Sequence, residues 1–300
     1  MSVTTPFVAR PITPELSAAF RNRAHNLQML PAVAVKALEI TRDPECTISE
    51  FSAVVERDTK LATDMLGMAN SAMFAGSGQK VRTLNQAVIK LGFRQCRNLI
   101  LSTGMAALMK KLTLEEEWIR DGLTKHGVTT GLLAICVNRV TSAGFQGEEF
   151  AAGLIHDVGR ILLAVCLPQK FSEIDPMHFE ESVETLVHEQ QVIGSDHCEA
   201  GVWLAQQNQL PPEFTEVIRY HHRPAAASHS KRLVALIAVC DHMANYLQNH
   251  GTSDGYDIDA NDAISVLAAN GLPNAIARIR ETHADMMKMV CREAHLAMSL

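Results

Sequence analysis

Aromatic side chains are scarce in this chain, at 5% of 300 residues, and no run rich in Val, Thr and aromatics flanks an Asn-Gly or Asp-Gly turn. That poverty argues against strands, which favour those residues. No apolar run approaches the ~18 residues that a membrane-spanning helix needs. The opening MSVTTPFVARP lacks the basic and apolar regions of a secretory signal, so a cytoplasmic location is expected. Positive charge is also in short supply: 27 Lys and Arg face 33 Asp and Glu, leaving a net charge of -6. The short basic runs, Lys80 with Arg82 and Lys110 with Lys111, are too sparse to neutralise a phosphate backbone, which disfavours nucleic-acid binding. The seven cysteines are odd in number, widely spaced and without a C-x-x-C, which fits buried free thiols in a reducing compartment better than disulfides or a zinc knuckle.

What the chain has in quantity is helical signal. Thr47-x-x-Glu50, Thr83-x-x-Gln86 and Thr113-x-x-Glu116 each read as a capping box ahead of an apolar run of helical period. Leu61, Met65, Leu66, Met68 and Ala69 share one helix face, and Gly92 stops the run from Leu84 to Leu91. The fold class expected is all-α, in two lobes. Residues 1–15, with Pro6, Pro11 and Pro14, read as a flexible arm, residues 16–112 as an N-terminal helical lobe, 113–250 as a second helical lobe and 251–300 as a C-terminal helical extension. Of the 13 histidines, His25 alone precedes residue 113, so any metal chemistry is expected in the second lobe.

Seven residues there make a candidate ligand set: His126, the pair His156-Asp157, His197, the pair His221-His222, and Asp241. Imidazole and carboxylate together suit divalent Fe, Mn or Zn, and the inside of a helical bundle is where such ions are held. Neighbours on a helix point about 100° apart. His156 and Asp157 therefore reach one ion only near a helix end or kink, and Gly159 is the expected kink. His126, His156, Asp157 and Asp241 would then close one metal site, with His197, His221 and His222 extending it to a second, the two Asp157 oxygens bridging the pair. Each residue also has a plain reading. A lone histidine at a helix end is more often a surface or capping group, and Asp196 and Glu199 are explained by capping the helix that begins at His197. Asp241, inside the apolar helix from Leu233 to Tyr246, is harder to dismiss, because a buried carboxylate without a partner is costly.

Several stretches, in order, resemble the HDOD family of bacterial signalling proteins, relatives of the HD-domain metal-dependent phosphohydrolases. In the first lobe they are Leu30-Pro31, Arg57-Asp58, Ala69-Asn70-Ser71-Ala72-Met73-Phe74, Gln86-Ala87-Val88 and Leu91-Gly92 through Arg97-Asn98-Leu99. In the second they are Gly153 through His156-Asp157 to Arg160, Asp196-His197 with Gly201, Leu210-Pro211, and Ile218 through His221-His222. The resemblance covers about residues 20–250. It implies an N-terminal helical lobe packed on an HD-like bundle, and a regulatory role exercised through contacts with other signalling proteins, gated by a metal or small ligand in the HD cleft. The alternative it implies is a metal-dependent phosphohydrolase or phosphodiesterase acting on a nucleotide or related phosphoester. Asp157 and Arg160 would then be catalytic, with Arg160 the phosphate anchor where HD-GYP relatives carry lysine. Those relatives hydrolyse cyclic di-GMP, and their Glu-x-x-Asp-Gly-x-Gly-Tyr-Pro segment is replaced here by Arg223-Pro224-Ala225-Ala226-Ala227. One or two divalent ions are the expected cofactors. The C-terminal segment is expected to pack on the second lobe or to pair two copies as a homodimer.

Overall fold

The helix starts sit where the capping residues put them. Thr47 Oγ1 accepts from the Glu50 amide at 3.2 Å while Glu50 Oε2 accepts from the Thr47 amide at 2.9 Å, and Thr83 and Gln86 make the same exchange at 3.2 and 3.3 Å. The computed structural model describes residues 7–23, 30–41, 43–70, 80–111, 117–179 and 182–297. The capping box at Thr113, the motif residues Ser71 to Phe74, His25 and the first six residues of the arm lie outside them. Among the described residues there is no strand, and the fold is all-α as expected.

Helices α1 (Pro14–Arg23), α2 (Ala32–Ile40), α3 (Ile48–Val55), α4 (Thr59–Asn70) and α5 (Leu84–Lys111) come first. Gly92 breaks α5 with φ 78° and ψ 157°, a conformation open to glycine, so the expected stop at this residue is a turn between two helical stretches. Helices α2 to α5 pack on one another around Leu30, Phe51 and Met65, all fully buried, with the rings of Phe51 and Phe93 5.4 Å apart. Asn70 closes α4. Its side chain donates to the carbonyls of Leu66 (2.8 Å) and Val81 (2.9 Å) and accepts from the Val81 amide (2.8 Å), tying the helix end to the residues just ahead of α5. This accounts for an asparagine at a position where helix propensity disfavours it.

The second lobe holds α6 (Glu117–Thr141), α7 (Glu148–Ile155), α8 (Val158–Cys166), α9 (Pro168–Ile174), α10 (Val183–Ile193), α11 (His197–Gln207), α12 (Pro212–Tyr220) and α13 (Lys231–His250). Helix α13 is apolar nearly all round from Leu233 to Ala244, and it is correspondingly buried at the centre. Helices α14 (Ala263–Ala269) and α15 (Ala275–Ala297) form the C-terminal extension, which packs on α13 and along α6. The lobes meet where α5 lies against α7.

One boundary differs from the sequence reading. Helix α1, assigned to the N-terminal lobe, packs on α8 and α11 of the second: Phe20 is fully buried with its ring 5.2 Å from Trp203, and Arg23 Nη1 donates to Cys166 O at 3.3 Å. The preceding segment follows it. Arg10 O accepts from Ser195 Oγ at 2.8 Å, Val8 O accepts from Gln190 Nε2 at 3.3 Å, and the Phe7 ring lies 4.2 Å from the Arg223 guanidinium. The physical reason is apolar: Leu16 and Phe20 are one turn apart and need a common partner surface.

Replacing Asn70 with Ala strands the Val81 amide and two carbonyls. It is expected to lower stability by about 1–3 kcal/mol, read as a fall in the midpoint of a thermal melt.

Candidate metal centre

Two glycine contacts bring the site together. A Cβ on Gly153 of α7 would lie 2.7 Å from the Cα and N of Gly131 on α6, and one on Gly127 would lie 2.9 Å from Leu154 O. Helices α6 and α7 therefore touch backbone to backbone, which sets His126 against His156 with their Nε2 atoms 3.2 Å apart. A Cβ on Gly159 of α8 would fall 1.8 Å from His197 O and 2.7 Å from the Gly201 amide of α11. This corrects the expected role of Gly159: it is a close-approach residue, and the bend is made by His156 and Asp157 themselves. Helix α7 ends at Ile155, and Asp157, at φ -99° and ψ 18°, precedes α8. At that joint the two neighbours face one hollow.

The structure brings all seven predicted residues into that hollow. His126, His156, Asp157, His197, His221 and Asp241 are buried, and His222 borders it from the solvent side. Around the first position, His126 Nε2 lies 3.1 Å from Asp241 Oδ1 and 3.6 Å from Asp157 Oδ2, and His156 Nε2 lies 3.5 Å from each of the same oxygens. Donors about 2.1 Å from a shared ion in tetrahedral array stand about 3.4 Å apart, which is the spacing found. Around the second position, Asp157 Oδ1 is 3.3 Å from His221 Nε2 and 3.6 Å from His197 Nε2, and His197 Nε2 is 3.2 Å from His222 Nε2. One Asp157 oxygen faces each position.

A cation fits this hollow by the state of its donors. Asp157 Oδ1 and His221 Nε2 are buried, face each other at 3.3 Å and have no other hydrogen-bond partner among the described residues, a condition that a bound ion would relieve. Three imidazoles are also turned the right way. His156 Nδ1 is 2.7 Å from Gly153 O, His221 Nδ1 is 3.0 Å from Ile218 O, and His197 Nδ1 is 2.8 Å from Glu189 Oε1. Each partner accepts from Nδ1 and so turns Nε2 toward the hollow, the usual outer support of a metal-ligating histidine.

Electrostatics follow from the packing. Burial disfavours the charged form of both carboxylates, but His156 and Arg160 hold Asp157, and His126 and His156 hold Asp241, well below the usual carboxylate range. Burial also works against a charged His156, yet Asp157 and Asp241 outweigh it and push its pKa up to about 9. For His197 burial is likewise overcome, chiefly by Glu189, and the pKa is raised. In His126, His221 and His222 burial prevails and the rings are held neutral.

Arg160, expected as a phosphate anchor, is otherwise engaged. Its fully buried guanidinium donates to both Asp175 oxygens (2.7 and 3.0 Å) and to Asp157 Oδ2 (3.0 Å), and it stacks on Phe179 at 4.8 Å. Those bonds hold Asp157 in its orientation. Glu199, expected to complete the cap at His197, accepts instead from Arg219 at 2.9 and 3.0 Å, while Asp196 caps the Glu199 amide at 3.0 Å as expected. Two supporting residues escape the sequence reading. Glu189 takes both the amide and the ring of His197, and its only signal is a carboxylate eight residues ahead in a helix. Asn245 donates to Asp241 Oδ1 at 3.0 Å, and its spacing of i, i+4 from a buried acid was a readable sign.

Residues 27–224 match the HDOD domain model, and the chain belongs to that family. It is 25% identical over 237 residues to an uncharacterized protein of Treponema pallidum (strain Nichols), matching 78% of this chain and 45% of that one, so the chain spans less than half the length of this relative. The fold is also that of an HDOD domain protein of unknown function from Geobacter sulfurreducens (TM-score 0.64, 21% identity, 91% of this chain and 96% of the other). A candidate metal-dependent phosphohydrolase from Shewanella amazonensis SB2B shares it as well (TM-score 0.62, 17% identity, 95% and 96%). No described helix is long and apolar enough to cross a membrane.

Gly159→Ala forces α8 and α11 apart. It is expected to cost about 2–3 kcal/mol or more and to lower metal stoichiometry, read by melting and elemental analysis. In the ion-free protein His156 keeps its proton until the pH passes about 9, so below that an incoming ion must displace it. Apparent Zn or Mn affinity is expected to fall as pH drops, by about tenfold per unit for each proton displaced. Titration calorimetry in two buffers of different ionisation heat would register that release, and equal heats in both buffers would contradict it.

Proposed function

We propose that this chain is a metal-binding HDOD regulator. One or two divalent ions, of Fe, Mn or Zn, would be held by His126, His156, Asp157 and Asp241 and by His197, His221 and His222. Their occupancy would set how the lobes present themselves to a partner signalling protein. The observation that carries the reading is the Asp157 carboxylate, buried, with one oxygen turned to each group of imidazoles. The route for a metal signal is short, since α7, which ends next to His156, also packs on α5 of the N-terminal lobe. The signalling role is the one the family implies, and it suits a site in which Arg160 is spent on holding Asp157.

A hydrolytic reading rests on a different observation. A cleft of about 550 Å³ reaches His221, His222 and Asp241 from outside and is bordered by Arg223 and Asn245. Arg223 Nε is buried with no hydrogen-bond partner among the described residues, and its guanidinium stacks on Phe7 and Tyr220. An ion pair in the hollow would supply Lewis acidity toward a phosphoryl oxygen. Arg223, the residue directly after the histidine pair, would take the place as anchor that Arg160 does not fill.

Protein purified without a metal-chelating tag is expected to carry near-stoichiometric Fe, Mn or Zn by elemental analysis, and His156→Ala with Asp157→Ala to lose it. The metal-loaded protein is expected to leave bis-p-nitrophenyl phosphate and cyclic di-GMP intact, while removal of the metal increases hydrogen exchange in α5, α7 and α11. Turnover that disappears in the double variant and in Arg223→Ala would replace the regulator with the hydrolase.

A further inference from the structure

A separate cavity, of about 620 Å³, lies at the junction of the lobes and shares no lining residue with the metal centre. Both lobes build it. Arg94, Arg97 and Asn98 come from α5, spaced i, i+3, i+4 and so on one helix face, while Lys231 and Arg232 come from the first turn of α13. Against these four permanent cations the lining sets two carboxylates, Glu148 and Glu213, an excess of positive charge in a chain whose net charge is -6.

The pairing of these groups separates the cavity from an ordinary solvated surface. Half-buried Arg97 has no hydrogen-bond or ion-pair partner among the described residues, and the Lys231 ammonium has none. Among the described residues Arg232 donates only to carbonyls, of Asn270 at 3.0 Å and Ala143 at 3.4 Å. Arg94 meets Glu148 Oε1 at 3.4 Å, and the other oxygen of Glu148 is shared between Asn98 and the Gln146 amide. The positive end of α13 adds to this field. Ser230 makes no side-chain cap there, and Glu216, which binds the amides of Ser228, His229 and Ser230, leaves the following turn uncapped. Guanidinium and ammonium groups beside a helix start suit a phosphate group, even with the Glu216 carboxylate on the Ser230 amide.

The cavity also has an apolar neighbour. Phe145 and Asn98 border both this space and a second one of about 600 Å³, lined largely by apolar side chains including Leu99, Ile135 and Phe150. A ring face beside a cationic pocket accommodates a base attached to phosphates.

We propose that the lobe junction binds a nucleotide. Its phosphates would lie on Arg97, Lys231, Arg232 and the start of α13, and its base against Phe145 at the mouth of the apolar space. The ligand would bridge α5 to α13 and so fix the two lobes against each other. This site is independent of the metal reading, and it stands or falls alone.

Titration calorimetry on the full chain, stripped of metal by chelator and without magnesium, tests it with ATP, GTP, inorganic pyrophosphate and adenosine as probes. At least one nucleotide is expected to bind, and Arg97→Gln with Lys231→Gln to weaken it by about tenfold or more. The melting midpoint should not move, because neither side chain makes a hydrogen bond or ion pair among the described residues. A charge-matched control, Lys36→Gln with Lys60→Gln on the remote surface, is expected to change binding by less than about twofold. Phe145→Ala is expected to weaken the nucleotide and leave pyrophosphate unchanged. Absence of binding by every phosphate probe, or an equal loss in the control, overturns the site. Pyrophosphate binding as tightly as the nucleotides overturns the nucleotide assignment.

Discussion

Backbone contact at glycine governs this structure. Where Gly131 meets Gly153 and Gly159 meets the first turn of α11, helices approach more closely than any side chain allows. Histidines near those contacts are thereby carried into a common hollow from four separate stretches of chain. Close approach has a second effect: it excludes water, so the charges inside interact strongly and each must find a counterpart. The arrangement of carboxylates and imidazoles is the solution to that demand, and the demand comes from the glycines.

Within the hollow, Asp157 is the hub. It sits at the break between α7 and α8, where the chain leaves one helix axis for another, and Arg160 one turn on fixes its orientation. Arg160 is in turn clamped by Asp175, and Asp175 Oδ1 also accepts from the Met177 amide at 2.8 Å. The chain of support runs outward from the site into the α9–α10 connection. Removing any member would leave a buried charge uncompensated, a costlier event than the loss of one bond.

The all-α class, the helix starts at Thr47, Thr83 and Asp196, the stop at Gly92 and the convergence of the seven ligand candidates were legible, because each rests on a local rule or on an ordered pattern of residues. What was not legible depends on partners distant in sequence. Phe20 reads as an apolar residue in a first-lobe helix, and nothing local says that it meets Trp203. Arg160 looks like a free cation until Asp175, 15 residues on, is seen to hold it. Gly159, just after a polar pair, suggests a kink, and the opposing carbonyl of His197 is invisible without the fold. Glu189 is hidden for the same reason, its partner His197 lying in the next helix.

The contact between α1 and α11 has a spectroscopic consequence. The chain has two tryptophans. Trp118 stands 57% exposed at the start of α6, and Trp203 leans on Phe20 along the same helix that His197 begins. Their emission should therefore separate into a red component that answers to solvent and a blue one that answers to the seating of the N-terminal helix. Changes around the imidazoles can be followed by intrinsic light alone, with no label attached.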